Sequence, residues 1–411
     1  MKVLTRPLFI LYINRFAALV GEYGSMITIS LLIANKGATA LMALWIIQSL
    51  GPSLVLPFVG RVIDSNNKKT IMIVTDILRG LLVLCIPFFI DGWGIYVIIL
   101  LVSMLGPFFS GSMQPLITSL TTDTNRQRVN SIISSISSAA YCIGPMLGGL
   151  LLIVNDSLPF IVQSTGYLLS AILLLVTKYP SIKVAIDNPN ESTIISRLKT
   201  AKNDILFSFS FIMKKKLVLI VLLANTIYLC GSTALDAYEV LYVTEVLGMN
   251  ETTYALAISY LGFAFVIAGI LNIVFSKILS LNALFIGGMC LASISNILFS
   301  IATTPNIIYF SFVLLALGMT SFSTAFYSIN QKEIPIEYQG RVMSFQFIVP
   351  EIAIIASVLI SGYLLEFIDI RPIITTLAII SFLGFLLTLF MVRINPSELI
   401  QSVKGNIDES N

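Results

Sequence analysis

The chain has 411 residues, 57% of them hydrophobic and only 11% charged, with mean hydropathy +0.95 and formal net charge +3. A soluble domain carries about 25% charged residues, so this composition excludes a soluble enzyme or a nucleic-acid-binding module and points to a polytopic membrane protein. With no histidine there is no imidazole for a proton relay or a metal site, and the four cysteines, Cys85, Cys142, Cys230 and Cys290, sit in apolar runs without metal-ligand spacing.

A helix needs about 20 apolar residues to cross a bilayer. Twelve such runs follow one another: 7–34, 40–60, 71–90, 93–120, 130–154, 157–178, 216–244, 252–276, 281–302, 305–330, 342–366 and 372–393. The basic start "MKVLTRPLFILYINRF" leads into an apolar run without a small-residue cleavage site, so it is expected to stay as the first span. The connections are short except for 179–215, a polar stretch centred on "DNPNES". Within it Ile194, Ile195, Leu198, Ile205, Leu206, Phe209 and Ile212 recur near helical spacing, which predicts an amphipathic helix on the inner leaflet. The expected organisation is a six-helix bundle over 1–178, a cytoplasmic linker over 179–215, a second six-helix bundle over 216–393 and a cytoplasmic tail over 394–411. The fold class is all-α.

Lysine and arginine set the direction. With a cytoplasmic N-terminus, 20 of the 24 basic residues fall on the inner side; only Lys36 and Arg371 fall outside, and Arg15 and Arg79 lie within spans. Both termini are then cytoplasmic, in a multi-pass protein of the plasma membrane.

The two halves resemble each other. "QRVNSI" opens the fifth span at 127–132 and "GRVMSF" opens the eleventh at 340–345, an offset of 213 residues. The same offset carries Gly149 to Gly362 and Glu22 to the neighbour of Asp236. This is the signature of a parallel duplication, an architecture that transporters use with the site near the midplane.

Between spans two and three lies "GRVIDSNNKKT", Gly60 to Thr70. Glycine permits close helix approach, and an aspartate can face a helix N-terminus and pair with a base. The stretch resembles the cytoplasmic signature of the major facilitator superfamily. Gly60, Asp64, Lys68 and Lys69 match it, whereas Ser65 and Asn67 depart from it. The resemblance implies a conformational latch that closes the cytoplasmic side in the outward-open state. Span three begins "TDILRGLL", where Asp76 and Arg79 are three apart on one helix face, the spacing of a structural ion pair joining that latch. Span five contains "YCIGPMLGGLL", in which Gly144, Pro145, Gly148 and Gly149 resemble a signature of drug and metabolite antiporters in the same superfamily; Ser131 and Ala140 stand where the fuller pattern has glycines. Together with "IEYQGRVMSFQFIVPEIA" before and within span eleven, these motifs resemble the macrolide-efflux branch.

Acids within spans are Glu22, Asp236, Glu239 and Glu351. An aspartate at a helix centre costs about 2.5–3.5 kcal/mol on insertion scales, so such residues face a cavity or a partner. Burial favours the protonated form of an acid, which makes these residues candidates for binding protons or a cationic substrate. Glu22 is the foremost, with a buried structural salt bridge the alternative; Arg15, two turns earlier on its face, is too far for direct contact and would couple through a water or a third residue. Asp236 and Glu239, spaced i, i+3, share a face, with hydration at the outer interface the alternative for Glu239. Glu351 follows Pro350 in span eleven. Tyr12, Tyr23, Trp45, Tyr228, Tyr238, Phe322 and Phe326 could line an apolar pocket or pack the bundles.

No Gly-x-x-x-x-Gly-Lys-Ser/Thr string occurs, so the sequence offers no nucleotide-binding loop. The expected protein is a monomeric secondary transporter, not an enzyme. It needs no cofactor, metal or nucleic acid, and its partners are a small-molecule substrate, protons and the lipid bilayer. Export of a hydrophobic small molecule or drug in exchange for protons is the leading reading. The alternatives are a proton-coupled metabolite importer and a non-transporting receptor or scaffold on the same fold.

Overall fold

In lipid every backbone N–H and C=O must be satisfied within the chain, and a helix does this segment by segment. The computed structural model, which describes residues 5–121, 123–179 and 205–394, accordingly contains helices and no strand among the described residues. The first half comprises α1 (Arg6–Ala34), α2 (Ala38–Ser65), α3 (Lys68–Phe89), α4 (Gly94–Leu120), α5 (Asp123–Val154) and α6 (Leu158–Val176). A short helix, α7 (Ile205–Lys214), precedes the second half. That half comprises α8 (Lys216–Leu241), continued by a π-helical turn (Tyr242–Val246), α9 (Glu251–Ile278), α10 (Leu281–Ser300), α11 (Pro305–Glu333), α12 (Ile336–Leu364) and α13 (Ile370–Ile394). Twelve of these helices are long and apolar enough to span a bilayer. Large apolar side chains face outward, Phe88 at 82% exposure and Trp93 at 83% among them, a surface that only lipid would tolerate.

All twelve expected spans are present, but several helices outrun them. α2 continues through Gly60 and Asp64 to Ser65, α5 begins at Asp123 and α12 at Ile336. An apolar run marks where lipid ends, whereas a helix continues until something satisfies its terminal amides. For α3 that group is Asn67, whose side-chain oxygen accepts the Lys69 amide at 3.0 Å. Asn67, the departure from the loop signature, is therefore the N-cap of α3. Of the amphipathic stretch expected in the linker, 205–214 is helical and the remainder lies outside the described residues.

The 213-residue offset holds to the residue at the starts of three of the six helix pairs and to within three residues at the others. It carries the first residue of α2, Ala38, to Glu251, the first of α9; Lys68 of α3 to Leu281 of α10; and Asp123 of α5 to Ile336 of α12. It also carries the cap Asn67 to Ser280, which accepts the Ala283 amide at 3.2 Å and caps α10. The turns before α2 and α9 each use a glycine at positive φ, Gly37 at 94° and Gly248 at 62°, a conformation that costs glycine nothing.

Packing repeats as well. α1 lies against α5 and α6, and α3 against α4 and α6; α8 lies against α12 and α13, and α10 against α11 and α13. The described helices form two compact units. One holds α1–α6 with the first part of α9, up to Phe263; the other holds α7, α8, the rest of α9 and α10–α13. The second has an aromatic core that includes Tyr228, Phe285, Phe322, Phe326 and Phe385.

Basic residues finish helix ends. The Lys69 ammonium donates to the Leu175 carbonyl at 3.1 Å, at the C-terminus of α6, and Arg371 donates to the Ala302 carbonyl at 3.2 Å, beyond the C-terminus of α10. A cation at a helix C-terminus complements its dipole. Lys69→Met should therefore cost only about 0.3–1 kcal/mol in thermal unfolding of the detergent-purified protein. A loss several times larger would mean that Lys69 holds more than the end of α6.

Candidate functional site

Three helices bring the polar groups of the first unit together. On α1, Gly21 and Gly24 flank Glu22. A Cβ at Gly21 would lie 2.6 Å from the Gln163 Cα of α6, and one at Gly24 would lie 2.8 Å from the Gly144 carbonyl oxygen of α5. These missing side chains let α1 sit deep between its neighbours and fix the direction of Glu22. On α3, the Gly80 carbonyl accepts the Ser164 hydroxyl at 2.8 Å, which sets α3 against α6 beside Arg79.

The centre of the site is an ion pair. Arg79 donates from Nη2 to Glu22 Oε1 at 3.3 Å; the Arg79 side chain is 7% exposed and that of Glu22 is 36% exposed. The guanidinium carbon stands 4.3 Å from the centre of the buried Tyr167 ring, a cation–π contact. Gln163 accepts the Ser25 hydroxyl at 2.5 Å and donates to the Tyr167 hydroxyl at 3.3 Å. Deeper in the unit, the Ser170 hydroxyl donates to Asp76 Oδ2. Asn14 Nδ2 donates to the Ser170 carbonyl at 3.4 Å.

Spacing on α3 predicts Asp76 as the ionic partner of Arg79, and the structure corrects this: the carboxylate in contact is Glu22. Helical spacing places two residues on one face but does not say which of them a third helix approaches. Here α6 offers Ser170 to Asp76, and α1 brings the longer glutamate to Arg79. Arg15 acts on Asp76 only at a distance; its guanidinium carbon is 5.9 Å from the centre of the Phe109 ring. Arg79 is thus the cation that Glu22 meets directly.

Glu22 and Arg79 open onto a cavity of about 550 Å³, within the 300–1,000 Å³ typical of small-molecule pockets. Its wall is mostly apolar: Met26, Ile29, Val83, Ile86, Ile99 and Val102 line it, with Pro52 and Leu56 of α2 and Gly106 and Pro107 of α4. Gln48, Ser103, Ser110, Ser25, Gln163 and Tyr167 supply polar points. The contributions of α2, α4 and α6 are absent from the sequence reading. A signal for α6 does exist: Gln163, Ser164, Tyr167 and Ser170 recur at helical spacing in an otherwise apolar helix.

The other candidates lie elsewhere. Asp236 and Glu239 are on α8 in the second unit. Asp236 is partly exposed. Glu239 is buried at 6% exposure, which removes the reading of a hydrated interface residue. Glu351 is partly exposed, one residue after Pro350 within α12. Tyr228, Tyr238, Phe322 and Phe326 are buried packing residues, and Tyr23 meets Tyr141 edge-on with ring centres 5.0 Å apart. Of the latch residues, Gly60 and Asp64 are in the last turns of α2, their side chains outside what the structure describes. Lys68 is buried at 6% exposure and donates to the Asn66 carbonyl at 3.3 Å.

The Gly144–Gly149 motif is a packing surface with two sides. A Cβ at Gly148 would lie 2.2 Å from the Gly24 carbonyl oxygen of α1, whereas one at Gly149 would lie 2.4 Å from the Ala255 Cβ of α9. Pro145 sits inside α5, three residues before Gly148.

Comparison with known proteins agrees with this architecture. A family model described as Major Facilitator Superfamily matches residues 11–357 and 221–406. The chain is 21% identical over 385 residues to YvqJ, an MFS-type transporter of Bacillus subtilis strain 168, covering 91% of this chain and 89% of that protein. It is 30% identical over 178 residues to Multidrug resistance protein 1 of the same organism, covering 41% of this chain and 44% of that protein. Among solved structures, the nucleoside transporter NupG superposes with a TM-score of 0.76 at 11% identity, covering 93% of this chain and 99% of that one.

Proposed function

This chain belongs to the major facilitator superfamily, and from that premise we propose that it is a proton-coupled exporter of hydrophobic, preferentially cationic, small molecules. The observation that carries the reading is the state of Glu22: a carboxylate one-third exposed to a drug-sized apolar cavity, held by one buried arginine. The apolar wall suits a lipophilic body, and the acid suits a positive charge.

Such a pair is built to be exchanged. A single contact of 3.3 Å, with the carboxylate 36% exposed, is weaker than a buried bidentate pair. A cationic cargo can take the place of Arg79, and cargo and proton then exclude each other at the same cluster. Exchange across the bilayer follows from alternating access of two bundles, with 179–215 as their cytoplasmic linker and 394–411 as a tail on the same side. A proton moving inward yields about 2.3 kcal/mol per 100 mV of membrane potential. The segment from Gly60 to Lys69, the end of α2 and the start of α3, acts as the latch, and the chain works as a monomer in the plasma membrane with both termini cytoplasmic. The partial match to Multidrug resistance protein 1 lends support to export rather than uptake.

The test is movement of a fluorescent lipophilic cation in proteoliposomes with an imposed pH gradient. The expected result is accumulation against the cation's own gradient, opposite in direction to proton flow and abolished by an uncoupler. Movement in the same direction as protons would make the protein an importer. Saturable binding without flux would make it a receptor.

A further inference from the structure

Arg79 has more bonding capacity than it uses. One of its N–H groups meets Glu22 at 3.3 Å, longer than the roughly 2.7–2.9 Å of a tight charged pair. Its Nε is buried without a hydrogen-bond partner. One turn earlier on the same face of α3, Asp76 is only 1% exposed. Its Oδ2 accepts the Ser170 hydroxyl, and its Oδ1 is buried without a partner. A vacant donor and a vacant acceptor therefore lie one turn apart in a dry interior, where each open polar group is costly.

The charged surroundings are few. α1 contributes Arg15 and Glu22, and α3 contributes Asp76 and Arg79; α4 and α6, which also pack against α3, carry no charged residue within their helical spans. Around the two α3 groups, α6 offers Ser170, Tyr167, Gln163 and Ser164, and α1 offers Asn14, whose Oδ1 is likewise buried without a partner. Arg15 is turned toward Phe109 of α4. Arg79 is thus a base set between a wet acid and a dry one.

We propose that Asp76 is the alternate seat of Arg79 and the acid that holds the exchanged proton. The idea rests on the reading of Glu22 as the cargo contact and names the device that couples it. With Arg79 on Glu22, as here, Asp76 has no counter-charge in contact and keeps a proton on its carboxyl group. When a cationic cargo binds Glu22, Arg79 swings one turn to Asp76. The O–H bond of Asp76 breaks, the proton leaves to water, and an ion pair forms in its place. When the cargo departs, Glu22 recovers Arg79 and Asp76 takes a proton back. One positive charge enters for each proton released, so the cluster keeps its net charge.

Infrared difference spectroscopy of the purified full chain without cargo, taken between acid and alkaline solution, tests the proton's location directly. One protonated-carboxyl band of the parent should be missing in Asp76→Asn, and missing also in Glu22→Gln, where Arg79 has only Asp76 left to pair with. Ser170→Ala, which removes the hydroxyl donor and leaves the acid, should shift that band and guards against misfolding of Asp76→Asn. If the parent band survives Asp76→Asn and ignores Ser170→Ala, the assignment is wrong. A second arm adds tetraphenylphosphonium to weakly buffered protein and counts protons. The parent should release about one proton per cation bound, and Asp76→Asn a ratio near zero. A parent ratio retained in Asp76→Asn would overturn the inference. A parent that binds no cation would instead count against Glu22 as the cargo contact, with the infrared result still deciding Asp76.

Discussion

Glu22→Gln is expected to abolish energised solute movement and also to weaken the fold, and a second substitution should separate the two effects. Removing one member of a buried ion pair typically costs about 3–5 kcal/mol, because the other charge is left unpaired. Glu22 is partly exposed, so the cost here should be nearer 1–3 kcal/mol, read as a lower unfolding temperature. Arg79 stays buried against Tyr167 with only the buried Asp76, one turn away, left to pair with. Adding Arg79→Gln removes the charge that lost its first partner. The double variant should be more stable than Glu22→Gln alone, with a coupling energy of about 1–2 kcal/mol across the cycle. Transport should remain at background, because the cargo has lost its acid and Asp76 has no arginine to take the place of its proton. If the two losses in stability simply add, the pair is not an energetic unit. If the double variant still pumps, the site lies elsewhere.

The twelve spans were legible because lipid imposes a length and a composition that no other environment demands. The duplication was legible from four residues, Arg-Val-x-Ser, because the helices obey the same offset: Asn67 and Ser280 cap at matched positions although they differ in type. Glu22 was legible as a candidate, since an acid in an apolar run is expensive anywhere. Its partner was not. The choice between Asp76 and Glu22 depends on how α1 and α3 are rotated about their axes, and that rotation is set by Gly21, Gly24 and Gly80 and by what they pack against. Gln163 and Tyr167 were overlooked for a related reason. A neutral polar residue in a span carries a smaller insertion cost than an acid, so it draws attention only as part of a stripe.

The duplication also shows what the second half lacks. At an offset of 213, Asp76 corresponds to Met289 and Arg79 to Ala292, both fully buried. They join an aromatic core with Tyr228, Phe285 and Phe322. The matched position of Asn14 is Ile227, and that of Ser170 is Leu383. The second half has buried polar contacts of a different kind, Asn296 Nδ2 donating to the Ser381 hydroxyl at 3.1 Å and the Ser293 hydroxyl to the Ser381 carbonyl at 3.2 Å, which join α10 to α13 without a charge. Helix packing tolerates that difference, since the small-residue contacts recur: Gly384 of α13 would place a Cβ 2.8 Å from the Tyr228 amide nitrogen of α8, as Gly21 would against Gln163. The positions that match Asp76 and Arg79 thus carry no charge in the second unit, and its acids Asp236 and Glu239 stand on α8 instead.

Gly148→Ala and Gly149→Ala, one residue apart on α5, are expected to behave differently. At Gly148 the new methyl would lie 2.2 Å from the Gly24 carbonyl oxygen and 2.8 Å from its Cα. Those are backbone atoms of the helix that carries Glu22, and no rotamer change can relieve the clash. α1 must shift away from α5, at a cost of about 3 kcal/mol or more, with little folded protein recovered from membranes. At Gly149 the methyl would meet the Ala255 Cβ at 2.4 Å, while the next nearest atom, the Ala255 Cα, is 3.8 Å away. The obstacle is a single methyl group, so Ala255→Gly should remove it. Gly149→Ala alone should lose about 1–3 kcal/mol, and the pair Gly149→Ala with Ala255→Gly should recover most of it, short of the roughly 0.5–1 kcal/mol that a helical glycine costs. Gly287→Ala, where a Cβ would meet nothing within 4 Å, is the control and should be neutral or slightly stabilising. Ala255→Gly should not rescue Gly148→Ala. Rescue of both, or of neither, would mean that α5 does not present one side of its motif to α1 and the other to α9.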